Sequence, residues 1–435
     1  MERTHRRNFL QAVSASLAIG RCGLIAQTGQ GSNVAFPSAV SKKGLQVQMI
    51  DDAIQLGVKH ATLNVDLARF IKPDATSDSP HYRWQDAQGR TYYFDQPAVD
   101  QLQHSIRQLS DQGILVYLIL LVYRHPDANV NRIMLHPRFD PAAPNGLSAF
   151  NVKTDEGKRW LTALIEFMAD RWGKFDSPQG RTVGWIVGNE VNSHWFWSNR
   201  GRCSLEEFLP DYADAFRTIH AAVKRHSSWA RIYVSLEHHW NIRYPGGDDD
   251  QAFAGRPFLD AFAARMKQQG DIDWHVAFHP YPENLFEPRF WRDKSATAAD
   301  DSPRITFKNL EVLIRYLDRP ELRYEGARRR VILSEQGFHT PDGDDGPQVQ
   351  AAAYCYAYRL VERQEGVDAF ILHRHVDHAR EGGLRLGLWT RQSDSIATPD
   401  QPKPIYHCFQ AADTANWKTN FEFAKTIVGV DEWPE

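Results

Sequence analysis

The sequence predicts a closed barrel of eight parallel strands alternating with helices, a single (β/α)8 TIM barrel with long loops at the C-terminal face of its strands. Three observations predict it. Apolar runs of strand length alternate with amphipathic helical stretches along most of the chain. The runs are apolar throughout rather than at every second residue, as strands covered on both faces are. No glycine-rich phosphate turn accompanies them, which favours a closed barrel over a doubly wound sheet. The 435 residues suit one barrel with insertions.

Taken in order, Asn33-Val34-Ala35-Phe36 is the candidate first strand. Lys43 to Leu56 has helical apolar spacing through Leu45, Met49, Ile50 and Ile54 and stops at Gly57. Ala61 to Leu67 reads as a strand, and Tyr92-Tyr93-Phe94 as the edge of a small hairpin outside the barrel. Gln96 to Gln112 is a helix closed by Gly113, followed by the apolar strand Ile114 to Val122. The segment from Arg124 to Val152, rich in Pro, Asn and His, reads as an excursion over the barrel mouth. Thr154 to Trp172 is a helix and Val183 to Val191 a strand. Ser204-Leu205-Glu206-Glu207 fits a capping box opening a helix to His226. Strands at Ile232–Leu236, Trp274–Phe278, Val331–Glu335 and Ala369–Leu372 alternate with helices at Pro257–Gln269, Ile305–Leu317 and Gln348–Arg363. Pro404 to Ala412 reads as the closing helix and Thr414 to Glu435 as a short tail.

The net charge of −3 argues against a nucleic-acid binder. Four cysteines without CxxC spacing give no zinc-knuckle or disulfide framework. Near the start, Arg6-Arg7 followed by Phe9-Leu10 and a modest apolar stretch from Ala12 to Gly20 has the pattern of a twin-arginine export signal. The reading is therefore a signal peptide over 1–31 and a barrel with a short C-terminal tail over 32–435, in a protein exported to the periplasm or beyond. No later run of about 20 apolar residues reads as a membrane span.

Two of the strands end in glutamate. Gly184-Trp185-Ile186-Val187-Gly188-Asn189-Glu190 and Val331-Ile332-Leu333-Ser334-Glu335 both carry an apolar run into a carboxylate. One glutamate at a strand end reads as an ion-pair residue. Two on strands of one parallel barrel meet at its C-terminal mouth, where barrel active sites lie. Facing carboxylates in a polar, aromatic cleft suit glycoside cleavage, in which one protonates the leaving oxygen and the other attacks the anomeric carbon. Other candidates at strand ends are Asn64, Arg124, Asn189, His239, Trp240, His279, Tyr281, His373, Arg374 and Trp389.

The segment Trp185-Ile186-Val187-Gly188-Asn189-Glu190 resembles the fourth-strand Asn-Glu signature of clan A glycoside hydrolases, the retaining (β/α)8 glycosidases. Leu333-Ser334-Glu335-Gln336-Gly337 resembles their seventh-strand nucleophile segment, ~145 residues further on. His279-Pro280-Tyr281 is similar to the clan's sixth-strand pair, and Trp389 to its sugar-stacking tryptophan. The resemblance implies Glu190 as acid/base, Glu335 as nucleophile, Asn189 on the hydroxyl next to the anomeric carbon, and Tyr281 orienting Glu335. His239, Trp240, His279, His373, Arg374 and Trp389 complete the expected sugar-binding set. The clan often carries a second-strand arginine, where this chain reads His60-Ala61-Thr62-Leu63-Asn64-Val65; Arg124 or Arg374 is the candidate substitute.

The expected function is a retaining hydrolase of β-type, equatorial glycosidic bonds in an oligo- or polysaccharide, with no metal and no cofactor. Two alternatives stand beside it. One is a carbohydrate-binding pseudoenzyme on the same barrel. The other is a metal-dependent hydrolase using His373-Arg374-His375-Val376-Asp377-His378. Sugar identity, exo or endo action and oligomeric state are open at this point.

Overall fold

The computed structural model describes residues 35–76 and 79–433. The twin-arginine segment and the first half of the expected strand Asn33–Phe36 lie outside the described residues. Eight parallel strands close into a barrel: β1 (Lys43–Gln46), β2 (His60–Asp66), β3 (Leu115–Leu121), β4 (Thr182–Val187), β5 (Arg231–Glu237), β6 (Trp274–His279), β7 (Val331–Leu333) and β8 (Val367–Leu372). Each pairs with its sequence neighbour, and β8 returns to β1.

The apolar runs are continuous because the barrel has two buried faces. In β3, Leu115, Tyr117, Ile119 and Leu121 fill the interior, while Val116, Leu118 and Leu120 face the helices. Tyr117 and Tyr233 share the barrel axis, with ring centroids 6.0 Å apart. A Cβ on Gly184 would stand 2.2 Å from the Tyr117 ring, so that strand position is kept empty for the tyrosine.

Helix starts follow local chemistry. Thr154 accepts from the Gly157 amide at 3.0 Å, opening the helix Asp155–Trp172. Ser204 and Glu207 form the reciprocal capping box of the helix Leu205–His226. Such caps are worth about 1 kcal/mol each. A two-stranded antiparallel hairpin, His81–Gln85 with Thr91–Asp95, lies outside the barrel as expected.

Four elements differ from the sequence reading. Lys43–Leu56 is not one helix: Lys43–Gln46 is β1, and only Ile50–Gln55 is helical. Gly44 explains the strand, because its missing Cβ would sit 2.8 Å from Ile371 of β8 and 2.9 Å from His60 of β2. Ala35 and Phe36 accordingly carry no strand. The long segment after β3 is not structureless; Asp127 caps a helix, Ala128–Met134, and Asn131 bonds both the amide and the carbonyl of His125. The tail contains a further helix, Trp417–Val428, which buries Phe421 and Ala424 against the core.

The barrel is sealed by chain-distant contacts. Lys43 of β1 is buried, and its ammonium donates to the carbonyls of Gln410 and Ala412. Asp52 accepts from Tyr406 at 2.9 Å, from His375 at 2.7 Å and from the Trp389 indole at 3.0 Å. These bonds tie the first βα unit to the helix Pro404–Ala411 and the segment after β8. No described helix is long and apolar enough to cross a membrane.

Candidate active site

The turn after β4 presents the first carboxylate. Gly188 has φ +80, and Glu190 itself is left-handed at φ 40, ψ 51. A non-glycine residue held there costs on the order of 1 kcal/mol and needs surrounding structure to fix it. Ser235 of β5 supplies part of it by accepting the Glu190 amide at 3.0 Å. Asn192, two residues on, donates to Glu237 at 2.6 Å and accepts the Glu237 amide at 3.1 Å.

Glu335 follows β7 directly. The backbone beyond it runs against β8: a Cβ on Gly337 would lie 2.1 Å from the His373 carbonyl oxygen. Gln336 turns inward and donates to the Ile371 carbonyl at 2.6 Å. These contacts fix where the glutamate leaves the strand.

The end of β6 joins the two carboxylates. His279 Nδ1 lies 2.9 Å from Glu190, and its Nε2 lies 3.1 Å from the Ser334 hydroxyl. Tyr281 donates its hydroxyl to Glu335 at 3.3 Å. One oxygen of Glu190, one nitrogen of His279 and one oxygen of Glu335 lie within 4.8 Å of one another. Asn189 is largely buried, and its carboxamide makes no hydrogen bond among the described residues.

The electrostatics follow from this crowding. Burial holds the Glu190 carboxyl above its ordinary range, and the charges of Glu335 and Glu237 add to that, while His279 opposes it. Burial pulls His279 down, but its bond to Glu190 and the field of Glu335 outweigh this and leave it raised. The cluster therefore keeps a proton to higher pH than its parts would alone. Tyr281 is raised well above its ordinary value by burial and by Glu335, so it stays a donor.

The remaining expected residues are placed less uniformly. His239 is buried, with Nδ1 2.5 Å from Glu237. Trp240 is 0% exposed, edge-on to Tyr316 with centroids 5.0 Å apart, so it packs the helical layer and presents no face to a ligand. Trp389 is held edge-on by Tyr406 as well as by Asp52; its contacts are in the seal of the barrel. His373 sits between Gln46 and Glu381, and Arg374 pairs with the same Glu381. Both line a cavity of about 550 Å³ at the ends of β8, β1 and β2, with Gln46, Asn64, Asp66 and His378. Neither Arg124 nor Arg374 bonds Glu335; the described partner of Glu335 is Tyr281.

The histidines after β8 do not converge. His373 turns to Glu381, His375 to Asp52, and His378 accepts the Arg380 amide. Besides the Glu190 cluster, Glu237, His238 and His239 come within metal-ligand spacing of one another. There, however, both Glu237 oxygens already accept from Asn192, Ser193 and His239. Sequence reasoning missed Ser235, Glu237, Ser334 and Glu381. Ser334 and Glu237 stood beside residues already singled out, so strand-end position was the available signal. Nothing marked Glu381.

Residues 35–435 match a family of unknown function, DUF5722. No curated protein sequence matches the chain. Among solved structures, it is similar to a family 39 glycoside hydrolase from the gut symbiont Bacteroides cellulosilyticus WH2, with a TM-score of 0.55 and 14% identity over 85% of this chain and 62% of that one. A β-glucosidase from Pyrococcus furiosus gives a TM-score of 0.54 and 16% identity, covering 87% and 86%. A glucosidase from Croceicoccus marinus gives 0.51 and 14%, covering 86% and 67%. At these identities the likeness is one of fold.

Proposed function

The chain belongs to the DUF5722 family, and we propose that it is a retaining glycoside hydrolase acting on an equatorial, β-type bond of an oligo- or polysaccharide. The observation that carries this reading is the meeting of Glu190 and Glu335, with His279, inside 4.8 Å. Retaining glycosidases separate their two carboxyl groups by about 5–5.5 Å, whereas inverting ones leave about 6.5–9.5 Å for a water. The solved structures of like fold are themselves named as glycosidases, which supports the reaction class.

The mechanism has two balanced steps. Glu190 gives its proton to the glycosidic oxygen as that oxygen's bond to the anomeric carbon breaks, and a Glu335 oxygen bonds the same carbon. The leaving sugar departs with the proton. Glu190, now a carboxylate, then takes a proton from water; the water oxygen bonds the anomeric carbon and the bond to Glu335 breaks. Raised affinity of Glu190 for its proton suits the first step. Tyr281 orients Glu335, and the unpaired amide of Asn189 takes the neighbouring sugar hydroxyl. Export follows from the Arg6-Arg7 pattern and is part of the proposal.

The test is covalent capture. A 2-deoxy-2-fluoro aryl β-glycoside panel would leave a sugar on Glu335, seen by peptide mass spectrometry, and the first product released from ordinary substrates would carry the β configuration by NMR. Product of inverted configuration, or a label on another residue, would overturn the reading. N-terminal sequencing of protein recovered from the periplasm tests export.

A further inference from the structure

We infer that Glu237 is a positioning residue for the proton donor Glu190, acting through the turn Val191–Ser193 and through its own buried charge. The inference rests on the proposed roles of the two strand-end glutamates and deepens them.

Two observations carry it. The first is a bond pattern with no slack. Asn192 and Glu237 exchange two hydrogen bonds, side-chain amide to carboxylate at 2.6 Å and backbone amide to side-chain oxygen at 3.1 Å. Ser193 adds a third from its hydroxyl at 3.2 Å. The other Glu237 oxygen accepts the His239 amide at 2.8 Å and faces His239 Nδ1. One oxygen of the β5 carboxylate is thus spent on holding Asn192 and Ser193, the second and third residues past Glu190, in the turn where Glu190 is left-handed. A three-residue turn has little stiffness of its own, so a left-handed glutamate there is kept by what grips the turn.

The second observation is charge. Glu237 is buried, and its bonds to His239 hold it well below the usual carboxylate range against the effect of burial. It is therefore an anion at neutral pH. The groups that face it are His238 and His239 on its own strand end, Glu190 on the β4 turn, and His279 on β6; Arg304 lies beside His238. Glu335 faces Glu190 and His279 from β7. A fixed anion among them makes it harder for Glu190 to lose its proton and easier for His279 to keep one.

The experiment uses the full chain and its Glu237→Gln variant, which preserves size and most hydrogen bonds but removes the charge. Each is assayed on aryl β-glycosides with good (dinitrophenyl) and poor (phenyl) leaving groups across pH. The variant is expected to lose at least ~10-fold on the poor leaving group, which needs the proton, and under ~3-fold on the good one. Its alkaline limb moves to lower pH. Independently of turnover, carbon-13 NMR of labelled glutamate, with the Glu190 signal assigned from Glu190→Gln, should place the Glu190 midpoint at least ~0.5 pH unit lower in the variant. Equal losses on both leaving groups with an unmoved midpoint would overturn the inference. Wild-type protein inactive on every glycoside, with the midpoint moved, would instead sink the hydrolase reading and leave the Glu237–Glu190 coupling standing. If Glu237→Gln does not fold, Asn192→Ala cuts the same link without touching the carboxylate; it should show the same dependence on leaving group, and uniform loss would overturn the positioning role.

Discussion

Two buried histidines at opposite ends of the barrel differ in the state their neighbours impose. His60 opens β2 at the floor, where its ring nitrogens meet the Tyr117 hydroxyl and the Ser41 carbonyl, each at 3.1 Å. Its partners carry no charge, and burial pushes it down to about 4. His279 closes β6 at the mouth, is buried as deeply, and is nonetheless raised by its bond to Glu190 and by the charges of Glu335, Glu190 and Glu237. The floor has charges too, but they are matched: Asp368 takes Arg231 at 2.6 Å and Arg330 at 3.1 Å. The mouth instead gathers Glu190, Glu237 and Glu335 around histidines. Burial alone does not set a histidine's charge in this barrel; the carboxylates that face it do.

The sharpest way to break that contrast is to remove the mouth's charge. Glu335→Gln should lower kcat on the order of 10⁴-fold or more with the fold intact by circular dichroism. Glu190→Gln should cost about 10²–10⁴-fold, most on poor leaving groups. Near-wild-type turnover in both would remove the distinction between the two ends. At the floor, Asp368→Ala strands two arginines and should cost about 2 kcal/mol in urea unfolding while leaving kcat per folded molecule unchanged. Tyr281→Phe removes one charge-assisted hydrogen bond, worth about 1.5 kcal/mol, and should lower kcat roughly 10-fold.

The smallest effect at neutral pH is the most discriminating between the histidines. His60 is neutral in the fold and titrates near its ordinary value when unfolded, so its share of stability is present above about pH 6.5 and is lost as pH falls toward about 4. The raised His279 has the opposite slope: its share is present below about 6.5 and is lost as pH rises through its folded value. Urea midpoints of His60→Gln and His279→Gln against wild type should therefore diverge on opposite sides of neutrality. Parallel slopes would show that the two sites share one electrostatic character.

The barrel and its two glutamates were legible because both depend on local pattern. A strand covered on both faces is apolar throughout, and a polar residue at its end has to face something other than core. His279 and Tyr281 were legible by the same rule. β1 was not. It has four residues, one of them Lys43, whose stem is buried and whose charge is answered by carbonyls 367 and 369 residues away. Nothing local marks such a partner, and the apolar spacing merged the strand with the helix behind it. Trp240 failed for a related reason. A strand-end position does not say whether a side chain turns to the mouth or to the helices, and this one lies against Tyr316. Glu381 was invisible because the loop after β8 meets His373 and Arg374 only once the barrel is closed.

The seal between β1 and the helix Pro404–Ala411 has a consequence for biosynthesis. Lys43 and Asp52 find their carbonyl and hydroxyl partners among residues 406–412. The ring itself closes by pairing of β1 with β8, both present once residue 372 is made, but the side-chain ties that lock this seam form only after residues 406–412 have emerged from the exit tunnel. Until then the β1–β8 seam holds by its backbone pairing without these ties. A premature stop before residue 404 would leave the seam without its lock and the core without the cover of the helices Pro404–Ala411 and Trp417–Val428, exposing apolar surface that favours aggregation.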